Sequence, residues 1–360
     1  MSFLVEIGGV GVVGSGGVIS RIDKEDVKVL VELKKESNDD WDVRKLPKIE
    51  DDSNDKRNEL KDEVILCLAS SPSNLLAVGT SKKMIRVFSM ENIEAPKHLV
   101  SVEVPKAPTS LTFDKDNSHV IVGDRAGDVH RFSLDSKETQ ELAGAISMML
   151  DVKMSTDGKR LLLADRDEKL RIVRYPNTFV IEHFCLANTE YIRSIAVEDD
   201  RYCWTAGGDK TLRRWNYTTG ELVFEQKLDV SQGIRKIVAK NGMLYILVEK
   251  MARVIMVNME TKEQIEMTIE NEEKLMDMAI VKEELMIVGS KSIHTKPLGS
   301  SGKSFTAIDA SGAIVNTEDA VENLYKNVTH NNQEEYEKRK AAKFAQIEEK
   351  KTLKRKAEDC

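Results

Sequence analysis

The chain has 360 residues, 41% hydrophobic and 32% charged, and its 54 Lys and Arg against 61 Asp and Glu leave a net charge of −7. That composition suits a folded domain and excludes a globally basic nucleic-acid binder, although not a local basic patch. No apolar run approaches the roughly 18 residues that cross a membrane, and Cys67, Cys185, Cys203 and Cys360 form no CxxC pair, which disfavours a zinc site or a disulfide framework and suits a reducing compartment, cytosol or nucleus.

Met1–Ser20 is apolar and Gly-rich but has neither a basic leading segment nor a small-residue cleavage site, so it does not read as a signal peptide. Inside it, Gly11–Ile22 (GVVGSGGVISRI) has the form strand, turn, strand. Residues 34–63 are charged, with Asp39-Asp40 and Asp51-Asp52, and read as a disordered insertion because they cannot bury a core. Two β-like runs joined by a tight polar turn then recur: Leu75–Thr80 with Met84–Met90, His119–Asp124 with Asp128–Leu134, and Arg160–Asp165 with Lys169–Tyr175. The series continues with Tyr202–Gly208 and Thr211–Tyr217, Met243–Glu249 and Arg253–Met259, and Glu284–Ser290 and Ser292–Leu298. The second runs start at 84, 128, 169, 211, 253 and 292, at intervals of 44, 41, 42, 42 and 39. Segments such as Met149–Met154, Ile192–Val197 and Leu275–Val281 supply a third strand per unit. A period of about 42 residues with several strands per unit is that of a β-propeller blade.

Gly11–Ile22 makes a seventh unit, since its second run begins near Gly17, 67 residues before Met84, which is one period plus the charged insertion. Phe305–Asp309 and Ala313–Val315 then complete the last blade or close the ring. The expected fold is all-β: a seven-bladed WD-repeat propeller over residues 1–330, with a charged tail at 331–360. The tail carries nine Lys/Arg and seven Asp/Glu between Glu334 and Cys360 without Gly or Pro, and reads as helical or disordered.

Local motifs for chemistry are absent. Gly9-Val10-Gly11-Val12-Val13-Gly14 fits GxGxxG, but Ser15-Gly16-Gly17 follows where a dinucleotide site needs a helix, so a Gly-rich hairpin is the better reading. The six histidines show no HxH, HxxxH or HExxH spacing, and neither a nucleophile elbow nor a P-loop occurs. The densest charged string is Asp165-Arg166-Asp167-Glu168-Lys169-Leu170-Arg171, more than a hairpin turn requires. Alternation puts Lys169 and Arg171 on one face. A solvated turn and a docking patch both fit, and Arg171 is expected to be a surface side chain.

The repeat resembles degenerate WD-repeat propellers, with Trp215-Asn216 where Trp-Asp would stand. The strings LLLADRDEKLRI (Leu161–Ile172), FCLANTEYIRSI (Phe184–Ile195), AGGDKTLRRW (Ala206–Trp215) and GDRAGDVHRFSL (Gly123–Leu134) resemble the WD-repeat, non-catalytic subunit of the tRNA (guanine-N7) methyltransferase. Ala187-Asn188 departs from the family, which has Gly-His there, and weakens the WD-type hydrogen-bond network of one blade.

The resemblance implies a nuclear, non-enzymatic propeller without cofactor or metal. It docks on a Rossmann-type catalytic subunit that holds S-adenosylmethionine, and the pair methylates N7 of a guanine in the variable loop of tRNA. It also implies that Arg171 ion-pairs with an acidic residue of that subunit, with Glu168 and Glu182 in the same interface, to which the charged turn adds Arg166, Asp167 and Lys169. The alternatives are a WD-repeat scaffold for another client, such as a ubiquitin ligase adaptor, and an enzyme built on a propeller.

Overall fold

The computed structural model describes residues 2–23, 26–33, 43–45, 63–136, 138–300, 304–310, 312–314, 318, 325 and 341–343. Residues 1–325 form one unit and 326–360 a second. The first consists of seven antiparallel sheets, each built from strands consecutive in sequence except for one added strand. Blade 1 is Ser2–Ile7, Val10–Ser15, Val18–Ile22 and Val27–Glu32. Blade 2 is Ile65–Ser70, Leu75–Thr80, Met84–Ser89 and Lys97–Glu103, and blade 3 is Pro108–Phe113, His119–Asp124, Asp128–Ser133 and Thr139–Gly144. Blade 4 is Met149–Met154, Arg160–Asp165, Leu170–Arg174 and Ile181–Cys185, and blade 5 is Ile192–Val197, Tyr202–Gly207, Thr211–Asn216 and Glu221–Lys227. Blades 6 and 7 begin at Ile234–Lys240 and Leu275–Val281 and end at Gln264–Thr268 and Thr306–Asp309. In the second unit, residues 341–343 are helical; the rest of the tail reading lies outside the described residues.

The fold is the seven-bladed propeller that the period predicts. The first strands line a central channel of about 480 Å³. In blades 2 to 7 the first strand carries a bulge after its first residue, as between Met149 and Asp151 or Ile192 and Ser194, while Ser2–Ile7 of blade 1 runs without one. The residue after the bulge stitches one blade to the next. Ser110 Oγ accepts from Val152 N at 3.1 Å, Asp151 from Ile195 N at 2.8 Å, Ser194 Oγ from Ile237 N at 3.2 Å, and Asp277 from Leu4 N at 2.8 Å. Each bond satisfies a backbone N–H of an inner strand, which has a ladder neighbour on one side only.

The core is a ring of interfaces. Seven apolar clusters of described residues each fill the gap between two neighbouring blades, for example Leu162, Leu170, Ile172, Ile195 and Trp215 between blades 4 and 5. A buried Leu, Ile or Val contributes about 1.5–3 kcal/mol. The ring closes by packing: Leu4, Val13 and Ile22 of blade 1 meet Met276, Val288 and Ile308 of blade 7. Thr306–Asp309 is the last strand of blade 7, and Ala313 and Ile314 join the closing cluster without becoming a strand. The Gly-rich motif is a hairpin: Gly8 and Gly9, at φ 56° and 81°, turn Ser2–Ile7 into Val10–Ser15.

One expectation changes. The insertion at 34–63 is not uniformly without structure: Val43–Lys45 is a strand, parallel to Ser101–Glu103 on the open edge of blade 2. An unpaired strand edge recruits such a segment because its backbone groups seek partners. Glu63 is also buried, against Arg86 and Thr80; residues 34–42 and 46–62 lie outside the described residues. The fourth, outer strand of each blade is an element that the sequence pattern did not reveal.

Candidate protein-docking site

The charged string forms the turn between the second and third strands of blade 4. Asp165 Oδ1 accepts from the N–H groups of Asp167 at 2.9 Å and Lys169 at 3.0 Å, so one carboxylate oxygen organises the turn. Glu168 takes φ 73°, the left-handed region, and its carbonyl accepts from Asn188 Nδ2 at 3.4 Å. Ser147 Oγ, on the preceding loop, donates to Asp167 at 2.7 Å and accepts from Arg166 Nε at 3.3 Å. Lys169 Nζ folds back to the Asp167 carbonyl at 3.2 Å. Burial pushes the Asp165 carboxyl up, while the Lys169 N–H and the Lys169 and Arg171 charges offset this in part.

Arg171 is not a surface side chain: only 8% of it is exposed. The Arg171 side chain projects from its strand toward the end of blade 3, where the neighbouring blade encloses it. Arg171 Nη1 donates to Gly144 O at 3.0 Å, and Nη2 approaches Asp165 Oδ2 at 3.4 Å. Its Nε is buried and has no hydrogen-bond partner.

The same position recurs around the ring. Arg86 of blade 2 is held by both oxygens of Glu63. Arg213 of blade 5 donates to Asp209 at 2.6 Å, to Asn188 Oδ1 at 3.0 Å, and through Nε to Glu225 at 2.7 Å. His294 of blade 7 meets Glu272 at 3.0 Å. Asn188 does not leave the blade 5 network open: Trp215 Nε1 donates to Thr205 Oγ1 at 2.9 Å, Thr205 Oγ1 reaches Asn188 Oδ1 at 3.5 Å, and Arg213 donates to the same oxygen. The amide oxygen accepts where a histidine ring would stand, and Arg213 supplies the further donor.

Strand register explains why Arg171 differs. Opposite Arg213, the fourth strand of blade 5 carries Glu225. Opposite Arg171, the fourth strand of blade 4 carries Phe184. The carboxylate that satisfies Nε in blade 5 has no counterpart in blade 4.

Exposed apolar side chains flank this hairpin. Phe184 and Leu186 are more than half exposed, and Ile146, next to Ser147, is fully exposed. A few exposed apolar side chains beside charged groups form the kind of patch that binds protein partners. Local motif reading missed Ile146, Phe184 and Leu186, because strand alternation alone does not say which face of an outer strand is uncovered.

Glu182 is not gathered with these residues. It bonds Arg160 Nε at 2.6 Å and Arg174 Nε at 3.0 Å, and Arg160 and Arg174 pair at the opposite end of the blade 4 hairpin from Asp165. Burial raises the Glu182 carboxyl, but the two arginines outweigh it and hold the group below the usual range. The histidine spacing rules also passed over one cluster: donor atoms of Asp124, Asp128 and His130 lie within 4.8 Å of one another. No helix of the described residues is long and apolar enough to cross a membrane.

A family model described as the tRNA methyltransferase TRM82 WD40 domain matches residues 23–143 and 134–340. The tRNA (guanine-N(7)-)-methyltransferase non-catalytic subunit of Caenorhabditis elegans is 44% identical over 334 residues, 86% of this chain and 86% of that protein. The non-catalytic subunit wuho of Drosophila melanogaster is 33% identical over 45% of this chain and 39% of its own. The non-catalytic subunit TRM82 of Candida glabrata is 27% identical over 46% and 43%. Among solved structures, the computationally designed protein Ika8 superposes with a TM-score of 0.60 at 14% identity, covering 83% of this chain and 84% of its own, a likeness of fold.

Proposed function

The chain belongs to the TRM82 WD40 family, that of the non-catalytic subunits of tRNA (guanine-N(7)-)-methyltransferase, and from this premise we propose that it binds and stabilises the catalytic subunit through the blade 4 hairpin. The pair then forms N7-methylguanine in the variable loop of tRNA. The observation that carries the docking role is the unmatched Nε of Arg171, with Phe184 standing where blade 5 places Glu225. On binding, the half-exposed Phe184 side chain shifts to uncover the buried Nε, and a carboxylate from the catalytic subunit completes that guanidinium in trans, as Glu225 completes Arg213 in cis. Arg166 and Lys169 form its charged rim, and Ile146, Phe184 and Leu186 the apolar contact. A guanidinium suits this role because its donors fix a carboxylate in one orientation.

A rigid ring raises the partner's activity by binding its active conformation better than others. Moving a two-state partner from 1:99 to 99:1 takes about 5.5 kcal/mol of differential binding. The Lys350-Lys351 and Lys354-Arg355-Lys356 clusters of the tail support a nuclear location and steering of tRNA phosphates.

The experiment is to measure affinity for the catalytic subunit, and tRNA N7-methylation by the mixture, for wild type, Arg171→Glu and Phe184→Glu. Both variants should bind at least about tenfold more weakly, the second because it supplies the carboxylate in cis, and methylation should fall with complex formation. Unchanged affinity in Arg171→Glu overturns the docking role of this hairpin.

A further inference from the structure

The turn between the second and third strands of blade 3 is built like that of blade 4, but its charges do not meet. Asp124 Oδ1 accepts three backbone N–H groups, from Ala126 at 2.8 Å and from Gly127 and Asp128 at 3.0 Å. The carboxylate is thereby fixed with Oδ2 directed at His130, whose Nε2 is 3.9 Å away. That is too far for a hydrogen bond. Both Oδ2 and Nε2 are buried without a hydrogen-bond partner, in residues only 1% and 6% exposed. Two polar atoms that face each other across such a gap call for a group that bridges them. Asp128, half-buried beside them, brings the third donor atom, all three lying within 4.8 Å.

We propose that Asp124, Asp128 and His130 form a site for a divalent first-row transition metal ion, with Zn²⁺ as its representative. Two ligand atoms about 2.1 Å from a tetrahedral ion lie roughly 3.4 Å apart, so the observed 3.9 Å closes with a shift of a few tenths of an ångström. The charges balance, since two carboxylates and a neutral imidazole neutralise a dication. One imidazole nitrogen with two carboxylate oxygens is a donor set for zinc-like ions rather than for calcium or magnesium. The other blades supply the positive charge differently: Arg171 stands beside Asp165 and Arg213 beside Asp209 at this position, and His294 bonds Glu272 directly. In blade 3 the imidazole stops short of its acid. Burial and the Asp128 charge hold the Asp124 carboxyl above its usual range despite its N–H bonds, which a bound cation relieves. Asp128, partly open to solvent, provides the entry path.

The full chain, stripped with a chelator and dialysed, is titrated with Zn²⁺ and then with Co²⁺. One ion per chain should bind and raise the melting temperature by a few degrees. Asp128→Asn and His130→Gln should each weaken binding by more than the roughly 10–100-fold that loss of an outer-shell partner costs. The Co²⁺ form should show d–d bands and no thiolate charge-transfer band, which separates this site from Cys67, Cys185 and Cys203. If His130→Gln does not fold, Asp128→Asn decides, because its side chain is only half-buried. No retained ion, a thiolate band, or undiminished binding by Asp128→Asn overturns the site.

Discussion

The turns of blades 4 and 5 start from the same arrangement, an aspartate at the turn and an arginine in the third strand, and end in different states. In blade 5 every donor direction of Arg213 described above meets an acceptor of its own chain: Asp209, Asn188 and Glu225. In blade 4, Arg171 has a carbonyl, a 3.4 Å approach to Asp165 and an Nε with nothing to meet. One residue of the outer strand, Glu225 against Phe184, makes the difference. A buried guanidinium that is fully paired holds its blade together; one that is incompletely paired beside exposed apolar side chains is suited to receive a carboxylate from outside.

The largest expected effect falls on blade 5. Arg213→Ala removes the bonds to Asp209, Asn188 and Glu225 at once, and urea unfolding of the chain should show a loss of about 3–5 kcal/mol. The folded fraction should bind the catalytic subunit normally; parallel loss of affinity would erase the distinction between the blades. Arg171→Ala should invert the pattern. Its affinity for the catalytic subunit should fall by about 2 kcal/mol or more. Its own folding should lose only about 1–3 kcal/mol, the cost of orphaning Asp165 and Gly144 O. Phe184→Glu recreates the blade 5 pairing inside blade 4 and should stabilise the free chain by about 0.5–1.5 kcal/mol in the same urea measurement. A destabilised Phe184→Glu would mean that Nε is not accessible to a carboxylate.

The smallest effect concerns the other end of blade 4. The folded pKa of Glu182 lies below its ordinary value, so its contribution is complete above about pH 4.3 and is lost as pH falls through the lower folded value. Glu182→Gln should flatten stability against pH in that acid window and leave docking unchanged. A docking defect in this variant would extend the interface along the whole blade.

Much of the fold was legible in residues alone. Inner and middle strands are buried on both faces, so Leu161–Ala164 and Leu244–Val248 are continuous apolar runs, and the turns between them carry Asp and Gly. The outer strands escaped because one face is in water: Glu221–Lys227 is mostly exposed and mixes charge with apolar residues. The insertion misled for a related reason, since Val43–Lys45 becomes a strand only when the edge of blade 2 is there to pair with it.

For the site, the excess of charge at Asp165–Arg171 and its likeness to a known family pointed to the hairpin for which docking is proposed. Composition could not tell that Arg171 lies inside the blade, because alternation assigns a face without saying what covers it. Nor could it tell that Glu182, eleven residues on, is turned to the far end by the return of the strand.

The sequence by itself determined the number of blades, their order and the turn chemistry, since these rest on local periodicity and on residues that tolerate tight turns. Only the tertiary structure decided which arginine is satisfied, because Nε of Arg171 and Nε of Arg213 are distinguished by cross-strand partners 12 or 13 positions away. It also decided that Asp124 and His130 face each other without touching. Hydrogen bonds and ion pairs depend on tenths of an ångström and on angles, which the packing of whole blades sets and a string of residue types does not contain.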